Sequence, residues 1–151
     1  MERLWKYTPW LTRLILVPPT FIFAMIGLRH ILHPAESAAT IGIVFTSALG
    51  ATITRVGLGG FPLACSLFIL FCLASKRRVT TGLAFTANLV GVLLLVRVLG
   101  MMVDGTVQEN IRLVRAEMVL LVLVAIGLFL DFAKRRRELD MRSELTRAIN
   151  G

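Results

Sequence analysis

The fold is decided by residues 58–96, which read LGGFPLACSLFILFCLASKRRVTTGLAFTANLVGVLLLV. Two stretches without a charged residue, 58–74 and 80–96, flank the basic turn formed by Lys76, Arg77 and Arg78. A helix that crosses a bilayer needs about 20 mostly apolar residues, because the hydrocarbon layer is about 30 Å thick. The two stretches therefore predict two membrane-spanning helices joined by a short basic loop.

The composition of the whole chain also indicates a membrane protein. Of its 151 residues, 56% are hydrophobic and only 17% are charged, with a mean hydropathy of +0.79. Soluble domains carry about 25% charged residues, so a soluble globular fold is excluded. The net charge of +8 does not indicate nucleic-acid binding, because the basic residues fall in three short runs between apolar stretches rather than on one folded face.

Two further stretches complete the set of predicted spans. Residues 116–132 contain only Glu117 and, at the far end, Asp131. Residues 14–28 are uncharged but interrupted by Pro18 and Pro19, so a kinked spanning helix is expected. The prediction is an all-α integral membrane four-helix bundle in a single domain. Its spans are expected at about 11–28, 56–74, 80–102 and 113–132.

The basic residues predict the orientation in the membrane. With four spans, the N terminus, the 76–78 loop and the run 134–137 lie on one side, which is the cytoplasmic side by the positive-inside rule. The uncharged stretch 37–54 could be a fifth span, but a fifth span would break this rule. We therefore expect 37–54 to be a re-entrant or surface segment that caps the outer end. It would pack through small residues spaced four apart, namely Ala38, Gly42, Thr46, Gly50 and Thr54.

The end of the chain, residues 133–151, is predicted to be a basic amphipathic tail in the cytoplasm. Phe132, Leu139, Leu145 and Ile149 recur near helical spacing, which favours continuation of the fourth helix beyond the membrane. Its basic residues suit contact with anionic lipid headgroups. Docking of a partner protein on this helix is the alternative.

Ionisable residues near the outer ends of the spans form the candidate site. Arg29 closes the first helix and Arg55 opens the second, while Arg97 and Glu117 lie about five residues inside the third and fourth. Asp104 follows Arg97 by seven residues and is nearly on the same helical face. Charged groups inside spans usually face the bundle interior, so Glu117 is expected to pair with Arg97 or Arg55, and Asp104 is a further possible partner of Arg97.

Two interpretations of this layer stay open. In the first, an ion pair fixes the register of the helices, and Arg29 and Arg55 extend to the headgroups. In the second, three arginines against one buried acid leave positive charge that attracts the polar head of a ligand. The apolar part of that ligand would lie between the helices.

Other polar residues give weaker signals. His30 and His33 are expected near the headgroups rather than at a metal, because a metal site needs three or four converging ligands. Asn88, in the middle of the third span, is expected to hydrogen-bond between helices. Cys65 and Cys72 lie about 10 Å apart along one helix, which is too far for a disulfide, and are expected to be packing residues. No cofactor and no metal site are expected.

Two motifs resemble a known group of proteins. They are TRVGLGGFPLACSLFIL at 54–70 and GLAFTANLVGVLLLVRVLGMMVDG at 82–105, followed by the acid Glu117 at the outer start of the fourth helix. The chain from about residue 10 to 132 resembles a family of small four-helix bacterial membrane proteins defined as a domain of unknown function, and more loosely DoxX-like proteins. The matching points are Arg55 with Gly59 and Gly60, Arg97 with the Asp104-Gly105 turn, and Glu117. The resemblance implies a four-helix fold in a bacterial inner membrane and supplies no activity.

The sequence leaves three functions open. The first is a non-enzymatic protein that holds an amphipathic or anionic small ligand, of lipid or quinone type, near the outer face. The second is an accessory or assembly subunit of a larger membrane complex, with self-association also possible. The third is a small membrane enzyme acting on a lipid-like substrate, with Glu117 as acid or base. Membrane lipids are expected partners in all three.

Overall fold

The computed structural model describes residues 2–75 and 77–150, which form helices and loops without a strand. The helices are α1 (Glu2–Leu32), α2 (Pro34–Ala39), α3 (Ala48–Thr54), a π-helical turn (Arg55–Gly60, here the π segment), α4 (Phe61–Leu73), α5 (Val79–Asp104) and α6 (Val107–Asn150). Four helical stretches are long and apolar enough to cross a membrane: Trp10–Leu32, Ala48–Leu73, Val79–Asp104 and Val107–Ala148. The predicted all-α class is confirmed, and four helices have the length and apolar composition that a membrane span requires.

The expectation for residues 37–54 needs correction. Residues 48–54 are α3, the first turns of the second long helix, which continues through the π segment into α4. This helix therefore begins at Ala48, eight residues before the predicted start. The chain is non-helical around Gly42, which has a φ of +78°, and Ser47 then caps α3 by accepting a hydrogen bond from the Gly50 N–H at 3.4 Å.

The predicted stripe of small residues is not formed. Ala38 lies on α2, Gly42 and Thr46 lie in the loop, and Gly50 and Thr54 lie on α3. A spacing of four residues aligns side chains only along an unbroken helix, and the break at 40–47 removes the common face.

The long helices pack in the order expected for a bundle of antiparallel neighbours. α1 packs against α4 and α6, and α5 packs against α6 and α4. The core between them is apolar and includes Leu16, Phe23, Cys65, Ile69, Val79, Leu83, Val90 and Val124. α1 is one helix from Glu2 to Leu32, and neither Pro18 nor Pro19 ends it.

Glycines allow α1 and the second long helix to approach closely. A Cβ atom placed on Gly27 would lie 2.8 Å from the carbonyl oxygen of Gly59, and one on Gly59 would lie 2.7 Å from Cγ1 of Ile31. Gly59 lies inside the second long helix, in the π segment. Close approach of backbones is the usual role of small residues between membrane helices.

Two ends of the bundle can now be distinguished. The Arg97 end contains the last turns of α1 and α5 and the first turns of α3 and α6. The basic end contains the loop between α4 and α5 and the part of α6 that follows Asp131. At the basic end Thr80 donates a hydrogen bond to Asp131 at 2.5 Å, and Arg135 donates to both of these side chains.

α6 is longer than a membrane span. Its 44 residues extend about 66 Å at 1.5 Å per residue, roughly twice the thickness of a bilayer core. The predicted continuation of the fourth helix past Phe132 is therefore observed, and it runs to Asn150 without a break.

Candidate functional site

An ion pair between α5 and α6 is the centre of the Arg97 end. Nε of Arg97 lies 3.0 Å from each carboxylate oxygen of Glu117, and Nη2 lies 2.7 Å from Oε1. The side chains are 28% and 19% exposed, so the pair is largely enclosed. The structure thus selects Glu117, rather than Asp104, as the partner of Arg97. Two parallel N–H···O contacts fix the orientation of the guanidinium as well as its charge.

A chain of polar groups at the start of α6 extends this pair. Nη1 of Arg97 donates to Oδ1 of Asn110 at 3.0 Å, and Nδ2 of Asn110 donates to the carbonyl oxygen and to the hydroxyl of Thr106, both at 3.0 Å. Sequence reasoning missed Asn110 and Thr106. The signal was present, because Asn110 precedes Glu117 by seven residues and Thr106 precedes Asn110 by four, which places all three near one helical face.

Arg55 is connected to α1 rather than to the ion pair. Its Nε donates to the backbone carbonyl of Ile31 at 3.3 Å, and the residue is exposed. It lies at the start of the π segment, seven residues after the second long helix begins, rather than at the opening of that helix as predicted. Among the described residues no carboxylate forms an ion pair with Arg55, so its positive charge is not matched within this part of the chain.

The two remaining predicted residues lie at the same end but do not touch the ion pair. Arg29 is exposed in the last turn of α1, where its carbonyl oxygen accepts hydrogen bonds from the Ser37 hydroxyl at 3.2 Å and from the His33 N–H at 2.9 Å. Asp104 is the exposed last residue of α5, and Gly105 then ends the helix with a φ of +69°. Of the five predicted residues, only Arg97 and Glu117 are in direct contact.

An apolar groove lies along the stretch of the second long helix that contains Arg55, although Arg55 itself does not line it. It has a volume of about 480 Å³ and separates the loop 43–46 from one face of α3 and the π segment. Its lining is mostly apolar, with two hydroxyls, and comprises Ile43, Val44, Phe45, Thr46, Gly50, Ile53, Thr54, Gly57 and Leu58. A volume of this size is within the range of small-molecule sites, which is about 300–1,000 Å³.

No family model, curated protein or solved structure matches this chain. The resemblance to four-helix bacterial membrane proteins and to DoxX-like proteins therefore stays a prediction.

The histidines and cysteines occupy separate positions. Nδ1 of His30 is 2.9 Å from the carbonyl oxygen of Ile26, which makes Nδ1 the donor, while Nε2 is buried without a partner among the described atoms. His33 lies 3.9 Å from Glu36 in an exposed pair. In the described part of the chain, no three His, Cys, Asp or Glu residues converge as metal ligands. Cys65 and Cys72 are buried free thiols.

Asn88 does not lie where the sequence predicted. It is exposed on the surface of α5, and no described residue hydrogen-bonds to its amide. The expected hydrogen bond to another helix is therefore not made with any residue of this chain that the structure describes. The helix is apolar on all sides near this position, so the sequence did not determine which face points inward.

Proposed function

We propose that this chain is a four-span bacterial inner-membrane protein that holds an amphipathic ligand with an anionic or strongly polar head, of lipid or quinone type, at the Arg97 end. The observation that carries this proposal is an apolar groove at the same level of the second long helix as Arg55, whose charge has no acidic partner in the described chain. The groove would take the apolar part of the ligand, and Arg55 would bind its head.

The ion pair supports a division of roles within the site. Because Glu117 accepts three contacts from Arg97, the charge of this arginine is already matched. Arg97 and Glu117 then act as positioning residues that hold α5 against α6. Among the described residues, exposed arginines at the same end that form no ion pair with an acid include Arg29, Arg55, Arg112 and Arg115.

Ligand binding can be tested by native mass spectrometry of the protein released from its own membranes at native expression. The expected result is a discrete adduct of lipid or quinone mass that is lost in Arg55→Gln. It should also be lost in Gly57→Leu, because a Cβ at Gly57 meets no atom within 4 Å and a larger side chain there can enter the groove. Arg112→Gln, which removes an exposed arginine of α6, is the matched control and should keep the adduct.

Two outcomes would overturn ligand binding as the function. One is a wild-type protein that carries no adduct. The other is an adduct that Arg55→Gln and Gly57→Leu leave unchanged while both variants stay folded. Loss of the adduct in Arg112→Gln to the same extent would show that overall charge, rather than the groove, recruits the molecule.

We also propose that both termini are cytoplasmic. The positive-inside rule supports this orientation, because Arg77 and Arg78 lie at the same end of the bundle as the basic run 134–137. Single cysteines at Glu109 and Ser143, in a background with Cys65→Ala and Cys72→Ala, provide the test in intact cells. A membrane-impermeant thiol reagent should label the cysteine at 109 but not the one at 143, and the reverse pattern would refute the orientation.

An accessory subunit of a larger membrane complex is the second candidate. It is favoured by the basic end of α6, which extends well past one membrane thickness. Side chains on this part of α6 combine apolar and charged groups: Phe129, Phe132, Ala133, Arg135, Arg136, Arg137, Leu139 and Asp140. A stoichiometric polypeptide that co-elutes after mild extraction would favour this function. Elution without any other polypeptide, at native expression, would refute it.

A further inference from the structure

Asn88 presents an unsatisfied amide to the membrane. It is exposed on α5, and none of the described residues is its hydrogen-bond partner. α5 has 26 residues and is about 39 Å long, and Asn88 is nine residues, about 13–14 Å, from its start at Val79. The amide therefore lies within a few ångströms of the middle of the span. Lipid tails offer neither a donor nor an acceptor there, so an amide left alone is unfavourable.

The surface around Asn88 allows another helix to approach. Ala84 lies one turn before it on the same face, and Val92 and Leu95 follow at helical spacing, all of them exposed. Gly91 is beside this face, and a Cβ built on it meets no atom within 4 Å. Small side chains next to a polar one are typical of surfaces through which membrane helices pair.

We propose that α5 pairs with α5 of a second copy of this chain, with the two Asn88 amides hydrogen-bonded to each other across a two-fold axis along the membrane normal. A primary amide has both donor and acceptor groups, so it is complementary to itself. Copies inserted in the same orientation carry Asn88 at the same depth, and a two-fold axis brings each residue near it face to face with its own equivalent. A charged side chain at this depth would instead require a partner of opposite charge.

The dimer surface is separate from the ligand site. Asn88 lies near the middle of α5, whereas the groove is formed by the loop 43–46, α3 and the π segment at the Arg97 end. The proposal therefore does not depend on ligand binding, and the two can fail independently.

Energy transfer between full-length copies provides the test. Donor and acceptor fluorescent proteins are fused to the C terminus, and the protein is reconstituted in liposomes over a range of protein-to-lipid ratios. Asn88→Leu should weaken the dimer by about tenfold, because both interhelical hydrogen bonds are lost. Gly91→Leu, which keeps the amide but fills the open space, should weaken it as well. Val122→Leu changes an exposed residue of α6 and is the matched control, with no expected effect.

Cysteine cross-linking tests the geometry with Asn88 intact. In a Cys65→Ala and Cys72→Ala background, Leu95→Cys should form a disulfide-linked dimer on oxidation, whereas Val122→Cys should not. Energy transfer no higher than random proximity in the wild type would overturn the proposal. Transfer that Asn88→Leu leaves unchanged would do the same. An association formed only with a different membrane protein would also overturn it, because the second copy would then not be the occupant.

Discussion

Removal of the carboxylate of Glu117 is the most informative perturbation of the fold. Glu117→Gln keeps the size of the side chain but leaves Arg97 without its counter-charge in an enclosed position. Breaking a buried ion pair by removing one partner costs about 3–5 kcal/mol, whereas an exposed pair contributes about 0–1 kcal/mol. The two side chains are 28% and 19% exposed, and Asn110 keeps its hydrogen bond to Arg97. We therefore expect a loss of about 2 kcal/mol, between the two limits.

Thermal unfolding in one detergent, followed by circular dichroism, measures this loss. For a chain of about 150 residues, 1 kcal/mol corresponds to a shift of about 2–4 °C, so Glu117→Gln should lower the Tm by about 4–8 °C. Glu109→Gln removes an exposed carboxylate from the same helix and should change stability by less than about 0.5 kcal/mol. Arg97→Gln and the double variant complete a cycle whose coupling should be about 1–2 kcal/mol.

Two results would refute this reasoning. If Glu117→Gln were no more destabilising than Glu109→Gln, the contacts to Arg97 would not stabilise the fold. If the double variant lost the sum of the two single losses, the side chains would act independently. The register of α5 against α6 would then depend on apolar packing alone.

Three other measurements test the packing. Gly27→Ala should destabilise the bundle by about 1–3 kcal/mol, because its Cβ would lie 2.8 Å from a backbone atom of the second long helix. Gly57→Ala should be tolerated, because a Cβ there meets no atom within 4 Å. Equal Tm values for the two variants would contradict the observed approach of the helices. Asp131→Asn removes the negative charge that accepts hydrogen bonds from Thr80 and Arg135, and it should lower stability by about 1 kcal/mol in the same assay. No change would indicate that this cluster is not formed. Cys65 and Cys72 are 5% and 1% exposed, so a maleimide should modify them only as the protein unfolds, as mass spectrometry can show. Rapid labelling of the folded protein would be incompatible with their burial.

The number of candidate spans could be predicted because uncharged apolar stretches of this length are typical of membrane-spanning helices and rare in other structures. Pairing of Arg97 with an acid could also be anticipated, since a lone charge in a span is costly. The sequence could not show whether Arg97 pairs with Glu117 or with Asp104, because both acids lie near the depth of Arg97 in the membrane. The rotation of each helix about its axis decides which acid Arg97 reaches. The start of the second helix was missed because residues 37–54 are uncharged throughout, so hydropathy does not reveal the loop. Its actual signals are local, namely a left-handed glycine at 42 and a serine cap at 47.

The sequence also could not show which face of α5 points toward the core. In water the polar face of a helix points outward and the apolar face inward, but most of α5 is apolar on every side. The side chain of Asn88 could therefore be assigned to either face from the sequence, and the structure places it outside.

The π segment also determines which residues of the second long helix lie on the same face. An α-helix advances about 100° per residue, whereas a π turn accommodates one additional residue without rotating the helix that precedes it relative to the helix that follows. Thr54, at the end of α3, and Gly59, inside the π segment, are both buried. They are accordingly five residues apart instead of three or four. Residues 48–54 thus present the face they would have in a regular helix one residue shorter. The segment is therefore a place where the chain can lose a residue and keep both halves of the helix in phase, while the same deletion inside α4 would turn one half away from the core.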